Sequence, residues 1–127
     1  LVVATRGYMP GALMGGEDMP GPAFLEWRGW CMDPAFLFGD DSLPEKDNFA
    51  RFTAPIRFLQ VSDDPWGTEQ AVSSIARRFT GARENAVHTV TPAAAGVGKI
   101  GHFGFFRPEM RAAWEGPVSW LLEAHSH

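Results

Sequence analysis

The sequence has one cysteine, no long apolar run and no concentration of basic residues, and each absence excludes a class of protein. Cys31 is the only cysteine, so the chain forms no internal disulfide and builds no cysteine-based metal site. No apolar run approaches the roughly 20 residues that cross a bilayer. The net charge is −4 without a basic patch, which argues against binding to nucleic acid or to an anionic membrane. We expect a chain of a reducing, cytoplasmic compartment.

What the sequence does contain is aromatic area. Five Trp and ten Phe in 127 residues predict a core, a pocket or an interface lined with rings. The length suits one small domain. Nothing in the composition implies a metal or an organic cofactor. Gly and Pro are dense in the first 50 residues and sparser afterwards, so we treat residues 1–50 and 51–127 as two segments.

The first segment is expected to be irregular, with tight turns and one helix. The stretch "PAFLEWRGWCM" predicts that helix, because Pro22 suits a first helical turn and Pro34 stops the helix near Asp33. At helical spacing, one face carries Ala23, Trp27, Trp30 and Cys31. We expect Cys31 to be a small buried apolar residue rather than a nucleophile.

The second segment alternates strands and helices. The stretches "PIRFLQVS" (Pro55 to Ser62) and "AVHTV" (Ala86 to Val90) predict strands. Between them, Thr68 caps a predicted helix over "EQAVSSIARRF". A helical stretch near the end is expected to break at Pro117 and restart there. Its predicted apolar face holds Trp114, Val118, Leu121 and Leu122.

Alternating strands and helices predict an α/β fold with a parallel sheet. Two polar loops each follow a predicted strand: one carries Asp63 and Asp64, the other carries His102 within "GKIGHFGFFRP". Because ligands bind at the carboxyl ends of parallel strands, we expect both loops at one edge of the sheet. His88 lies within a predicted strand and is expected to face solvent or a neighbour, and His125 and His127 carry no signal.

The stretches "GYMPG", "LQVSDDPWGT", "TPAAAGVGKIGHFGFF" and "W…WLLE" resemble a bacterial branch of predicted α/β-hydrolases over nearly the whole chain. The resemblance implies that residues 51–127 form the last two strands of a hydrolase core and that residues 1–50 form its lid or cap. It also implies a catalytic acid at Asp64, with Asp63 as the alternative, and a catalytic base at His102. Gly101 and Gly104 would let the loop turn sharply, and Phe103, Phe105 and Phe106 would exclude water.

The sequence contains no G-x-S-x-G nucleophile motif, and the family pattern places the nucleophile upstream of Leu1. The expected function is therefore that of the C-terminal part of a serine hydrolase for an ester, thioester or amide of an apolar acyl group. Trp27, Trp30 and Trp66 are candidate substrate contacts, with core packing as the alternative. The rival interpretation is a non-catalytic, truncated hydrolase-like module that acts through protein association. Expected partners are a small acyl substrate and either a second copy or an N-terminal half.

Overall fold

A computed structural model describes residues 2–124 and has mixed α/β secondary structure. The chain divides into two compact units, Leu1–Lys46 and Asp47–His127, and the expected change in character near residue 50 falls close to this division. None of the helices within residues 2–124 has both the length and the apolar character that crossing a membrane requires. His125 and His127 lie outside the described residues.

The first unit is more regular than its Gly and Pro content predicts. Its elements are α1 (Val2–Arg6), β1 (Tyr8–Met9), a 3₁₀ turn (Gly11–Leu13), β2 (Met19–Pro20), α2 (Gly21–Met32) and a second 3₁₀ turn (Phe36–Gly39). The strands β1 and β2 form a short antiparallel pair. Gly21 opens α2 at a close backbone approach, because a Cβ there would lie 2.5 Å from the Gly7 carbonyl oxygen.

Helix α2 confirms the predicted helix, and Asp33 adopts an extended conformation directly after it, as expected of a residue before Pro34. The expected burial of Cys31 is wrong: this residue is exposed, whereas Trp27 and Trp30 on the same predicted face are half-buried. The reason is that α2 carries apolar residues all round, including the exposed Leu25, so helical spacing alone does not select the buried side.

The second unit contains the predicted parallel pair of strands. Its elements are α3 (Asn48–Arg51), β3 (Ile56–Val61), α4 (Glu69–Ala76), β4 (Asn85–Val90), α5 (Gly101–Gly104), a 3₁₀ turn (Pro108–Met110) and α6 (Arg111–Ala124). The strands β3 and β4 pair in parallel, with Ile56 opposite Asn85 and Val61 opposite Val90. The prediction of an α/β chain with a parallel strand pair is therefore confirmed.

The two faces of this sheet pack against different parts of the unit. On one face Val61 joins Ile100 and Met110 in the buried core, and Trp114 of α6 packs against this cluster. Side chains along a strand alternate between the two faces of a sheet, so Phe58 lies on the face opposite to that of Val61. There the Phe58 ring meets the Phe79 ring, which follows α4, at a centroid distance of 5.6 Å.

Helix α4 begins as predicted and ends early. The Thr68 side chain accepts a hydrogen bond from the Ala71 N–H at 3.2 Å, which confirms the N-cap. The helix ends at Ala76 instead of continuing to Phe79. Asn85 of β4 donates its side-chain N–H to the Ala76 carbonyl at 2.7 Å. This carbonyl would accept a backbone N–H if the helix were longer, so the strand residue replaces that hydrogen bond.

The predicted break at Pro117 is wrong, because α6 continues through this residue. The residue before it is Gly116, which has no Cβ for the proline ring to contact; this removes one penalty of an internal proline, while the missing N–H of Pro117 remains. The predicted apolar face is also wrong beyond Trp114, since Val118 and Leu122 are exposed. Trp120 faces the sheet instead, with the Arg57 guanidinium 4.7 Å from its ring centroid.

The described residues form a small core and leave much apolar surface accessible. Only five hydrophobic residues are buried: Val3, Val61, Ala76, Ile100 and Met110. The sheet formed by β3 and β4 has only two strands in the described part of the chain, so the outer edge of each strand has backbone N–H and C=O groups without a partner strand there. A two-stranded sheet is only marginally stable by itself. These open strand edges and exposed apolar side chains are the surfaces that an association would cover.

We predict that the purified chain self-associates at micromolar concentration. Light scattering should give a mass above the 14.0 kDa of one chain, rising with concentration. Val118→Glu places a charge on the exposed apolar side of α6 and should lower the average mass. Ser119→Glu, at the neighbouring exposed position, is the matched control. A clean 14.0 kDa monomer with a cooperative melt would contradict the prediction.

Candidate acid–histidine site

The site begins with the tight turn that follows β3. The Ser62 N–H donates to the Val90 carbonyl at 3.0 Å, which carries the strand pairing one residue further. The Asp64 N–H then donates to the Val61 carbonyl at 3.1 Å and closes a β-turn. Two adjacent carboxylates, Asp63 and Asp64, thereby stand at the carboxyl end of β3.

The second part of the site is the loop between β4 and α5. Gly101 has a φ of +65°, a left-handed conformation that glycine adopts without strain. Ile100, just before it, is buried in the core and fixes the loop from below. Gly104 is buried as well, and a Cβ there would lie 3.4 Å from Ile100 Cγ2. These constraints place His102 above the carboxyl ends of the strands.

His102 and Asp64 meet as the sequence predicts. The Nδ1 atom of His102 lies 2.9 Å from Asp64 Oδ2 and 3.0 Å from Asp64 Oδ1. The side chain of Asp64 is 11% exposed and that of His102 is 37% exposed, so the pair sits at the protein surface with the acid on the inside. The contact is present, and its catalytic role stays a prediction.

The carboxylate of Asp64 is held by its own turn. The Trp66 N–H donates to Oδ1 at 2.8 Å, and a Cβ on Gly67 would stand 2.6 Å from Oδ2. Burial alone acts to raise the pKa of Asp64. Hydrogen bonds from the Gly67 N–H, His102 and the Trp66 N–H outweigh it, and the pKa lies below its ordinary value. Asp64 is therefore ionised at neutral pH.

The ionised acid fixes the tautomer of the imidazole. A carboxylate only accepts hydrogen bonds, so Nδ1 carries the proton and Nε2 of a neutral ring presents its lone pair. No hydrogen bond joins Nε2 to any residue among 2–124. The ring is flanked by Trp66, with centroids 4.9 Å apart, and by Phe103, with centroids 4.6 Å apart. The arrangement can accept a proton at Nε2.

Asp63, the alternative acid, has different partners. Its Oδ2 accepts from the Ile100 N–H and its Oδ1 accepts from the Gly101 N–H, each at 3.0 Å. These bonds from Gly101 and Ile100 hold the pKa of Asp63 below its ordinary value. The two neighbouring acids thus have separate tasks: Asp64 contacts the ring, and Asp63 contacts the backbone beside it. Sequence reasoning missed the second task.

An apolar pocket of about 320 Å³ adjoins the pair. Asp64, Gly67 and His102 form its polar part, and its apolar lining consists of Leu59, Val61, Val72, Phe105 and Phe106. The expectation that three phenylalanines would exclude water is only partly met. Phe105 packs against the core, whereas Phe103 is 61% and Phe106 is 81% exposed. Helix α5 has only one turn, and one turn cannot direct successive rings to the same buried side.

The three candidate tryptophans are in different settings. Trp66 lies beside His102 and is half-exposed, as a substrate contact requires. Trp27 and Trp30 belong to the first unit, where each has a contact of its own. Trp27 packs against Phe24, and the Trp30 indole N–H donates to Asp40 Oδ2 at 2.8 Å. Within that unit the Trp27 contact is one of ring packing, and the Trp30 hydrogen bond holds the loop of Asp40.

Other polar residues do not complete the site within the described part of the chain. His88 is exposed on β4, opposite Leu59, and lines a groove between the sheet and α6. No described serine, threonine or cysteine is hydrogen-bonded to His102 Nε2. Residues 2–124 also hold no group of three or more His, Cys, Asp or Glu side chains that could bind a metal ion.

Comparisons with protein-family models, with curated proteins and with solved structures found no match for this chain. The resemblance to α/β-hydrolases therefore stands on the residues quoted above and is used only as a hypothesis.

We predict that Asp64 contributes to stability in a pH-dependent way. Because its pKa is lowered on folding, its contribution is fully present above the ordinary value of 3.8 and is lost as the pH falls through the folded-state pKa. Urea unfolding of Asp64→Asn should show a shallower loss of stability between about pH 5 and about pH 2. Asp41→Asn, which alters a fully exposed carboxylate, should follow the wild type. Identical slopes for Asp64→Asn and the wild type would contradict the assignment.

We also predict that Gly67→Ala displaces the acid. The added Cβ would stand 2.6 Å from Asp64 Oδ2, closer than such contacts allow, so the carboxylate must move. The imidazole resonances of His102 should shift in the Gly67→Ala spectrum. Gly98→Ala is the control, because a Cβ there meets nothing within 4 Å. Equal His102 resonances in both variants would argue against the described geometry.

Proposed function

We propose that this chain supplies the acid and the base of a serine-hydrolase triad that cleaves an ester, thioester or amide of an apolar acyl group. One observation carries the proposal: Asp64 engages Nδ1 of His102, and Nε2 is left without a described partner beside an apolar pocket. The hydrolase resemblance of the two loops supports it.

In this proposal His102 acts first as base and then as acid. Nε2 accepts the proton of a serine hydroxyl as its oxygen attacks the acyl carbon, and it later donates that proton to the leaving group. Asp64 keeps the proton on Nδ1 and stabilises the imidazolium that forms in between. Its low pKa suits this task, since it stays ionised throughout.

The nucleophile and the oxyanion donors come from another polypeptide segment, because the sequence has no G-x-S-x-G motif. In the proposed arrangement that segment is an N-terminal half, which would also cover the open edge of the sheet. The acyl group would occupy the pocket lined by Leu59, Val61, Val72, Phe105 and Phe106, with Trp66 as a further contact. We place the reaction in the cytoplasm.

The second candidate function is that of a non-catalytic module that works through protein association. It is favoured by the small core and by exposed apolar side chains such as Leu59 and Val87 on the two strands. In that case the acid–histidine pair only braces two loops. The coding sequence upstream of Leu1 discriminates: a G-x-S-x-G after a predicted strand supports the hydrolase, and its absence supports the module.

We predict that the 127-residue chain alone does not turn over an activated ester such as a p-nitrophenyl acyl ester. Its sequence has no G-x-S-x-G elbow, and the proposal places the oxyanion donors in another segment, where one such donor alone is worth about 10²–10³ in rate. Turnover that His102→Ala abolishes would contradict this and would require a nucleophile within the chain.

A longer polypeptide that joins a G-x-S-x-G segment to this chain should be active. His102→Ala should lower its kcat by about 10⁶-fold, and Asp64→Asn by about 10⁴-fold. His88→Ala, which changes an exposed histidine away from the pair, is the matched control and should retain activity. An active enzyme that tolerates His102→Ala would overturn the proposed function.

A further inference from the structure

We propose that Asp63 is a positioning residue that sets the imidazole of His102 by holding the backbone immediately before it. The inference rests on the proposed function, since positioning matters only if His102 is the base. It assigns to Asp63 a task separate from that of Asp64.

The backbone before His102 has the form of a small anion-binding concavity. Ile100 has φ −108° and ψ −62°, in the right-handed helical region, and Gly101 follows with a φ of +65°. Successive right- and left-handed residues turn their N–H groups toward one point, and such a nest attracts an anion. Here the anion belongs to the protein itself: the two oxygens of Asp63 accept the two N–H groups at 3.0 Å each.

This contact joins the two loops of the site at the position that matters for the ring. The backbone of Gly101 binds the carboxylate of Asp63. The next residue in each loop continues the pattern, because the ring of His102 binds the carboxylate of Asp64. If the first contact is lost, the second must hold the loop alone. Because a displacement of 1 Å can cost about 10²-fold in rate, such bracing bears on catalysis.

Asp64, Trp66 and Phe103 contact the ring itself, but few contacts hold the backbone that carries it. The His102 side chain is 37% exposed and its neighbour Phe103 is 61% exposed. The buried Ile100 anchors the loop below but does not determine its rotation. The ammonium group of Lys99 is near enough to favour the ionised form of Asp63. The Asp63 carboxylate accepts two N–H groups, and bonds to a charged acceptor are stronger than neutral ones, so it constrains the direction of the backbone before His102.

The tautomer of His102 is a suitable readout, because it would not change if Asp63 only stabilised the fold. In ¹⁵N NMR spectra of the full chain at a pH where the ring is neutral, Nδ1 should carry the proton in the wild type. Asp64→Asn tests the proposed pair and should abolish this preference. Asp63→Asn tests the inference and should give a mixture of both tautomers, while the resonances of β3 and β4 show that the fold persists.

Two further variants separate positioning from charge. Asp63→Glu keeps the negative charge but lengthens the side chain, so it should also weaken the tautomer preference. Asp18→Asn removes another carboxylate that braces a loop, through the Gly11 N–H at 2.8 Å, and should leave His102 unchanged. Because asparagine keeps only one acceptor oxygen, hydrogen exchange at one or both of the Ile100 and Gly101 N–H groups should accelerate about tenfold or more in Asp63→Asn, as for loss of a hydrogen bond.

The outcomes distinguish the two claims. If Asp64→Asn leaves the tautomer unchanged, the proposed function fails. If Asp64→Asn changes it and Asp63→Asn does not, the proposed function stands and the role of Asp63 is refuted. If Asp63→Asn changes it and Asp63→Glu does not, the effect is one of charge alone, and the positioning role is likewise refuted.

Discussion

The parallel pairing of β3 with β4 brings two loops together, and three backbone or ring N–H groups of the second loop then bind two adjacent carboxylates of the first. Val61 and Val90 lie opposite each other, so both strands end at the same level of the sheet. A shift of one residue in the pairing would move the turn of Asp63 and Asp64 by about 3.3 Å relative to the loop of His102, which is enough to break these hydrogen bonds. The geometry of the site therefore depends on the strand register as much as on the acids themselves.

Polar contacts hold this site more than burial does. Val61, Ile100 and Met110 form the buried core below it, and that core is small. The loop of His102 is tied down by charge-assisted hydrogen bonds to Asp63 and Asp64, which are stronger than bonds between neutral groups. Because hydrogen bonds rather than burial hold the loop, the ring stays accessible while its position is fixed. It also makes the local geometry sensitive to acid, since both carboxylates act in their ionised forms.

The sequence predicts the strands, and strand order brings the loops of Asp63, Asp64 and His102 to one edge; the choice of Asp64 as the partner of His102 comes from the hydrolase resemblance. The sequence could not predict the task of Asp63, which depends on the left-handed conformation of Gly101 and on which way two N–H groups turn. The predicted break at Pro117 is wrong because an internal proline weakens a helix without always ending it, and the packing that keeps α6 continuous is not visible in the sequence. The exposure of Cys31 and of Phe106 depends on packing partners that helical spacing does not reveal.

The flanking rings restrict how a reacting group can reach the imidazole. Trp66 and Phe103 both lie near the His102 ring, and Asp64 occupies Nδ1, which leaves Nε2 as the position for proton transfer. A nucleophile must approach Nε2 to about 2.6–3.2 Å to lose its proton there. Within the second unit the adjoining pocket is apolar apart from the pair itself, so it can hold an acyl chain but does not activate water by further polar groups. This geometry is what the proposed function needs, in which a hydroxyl from another segment would reach Nε2.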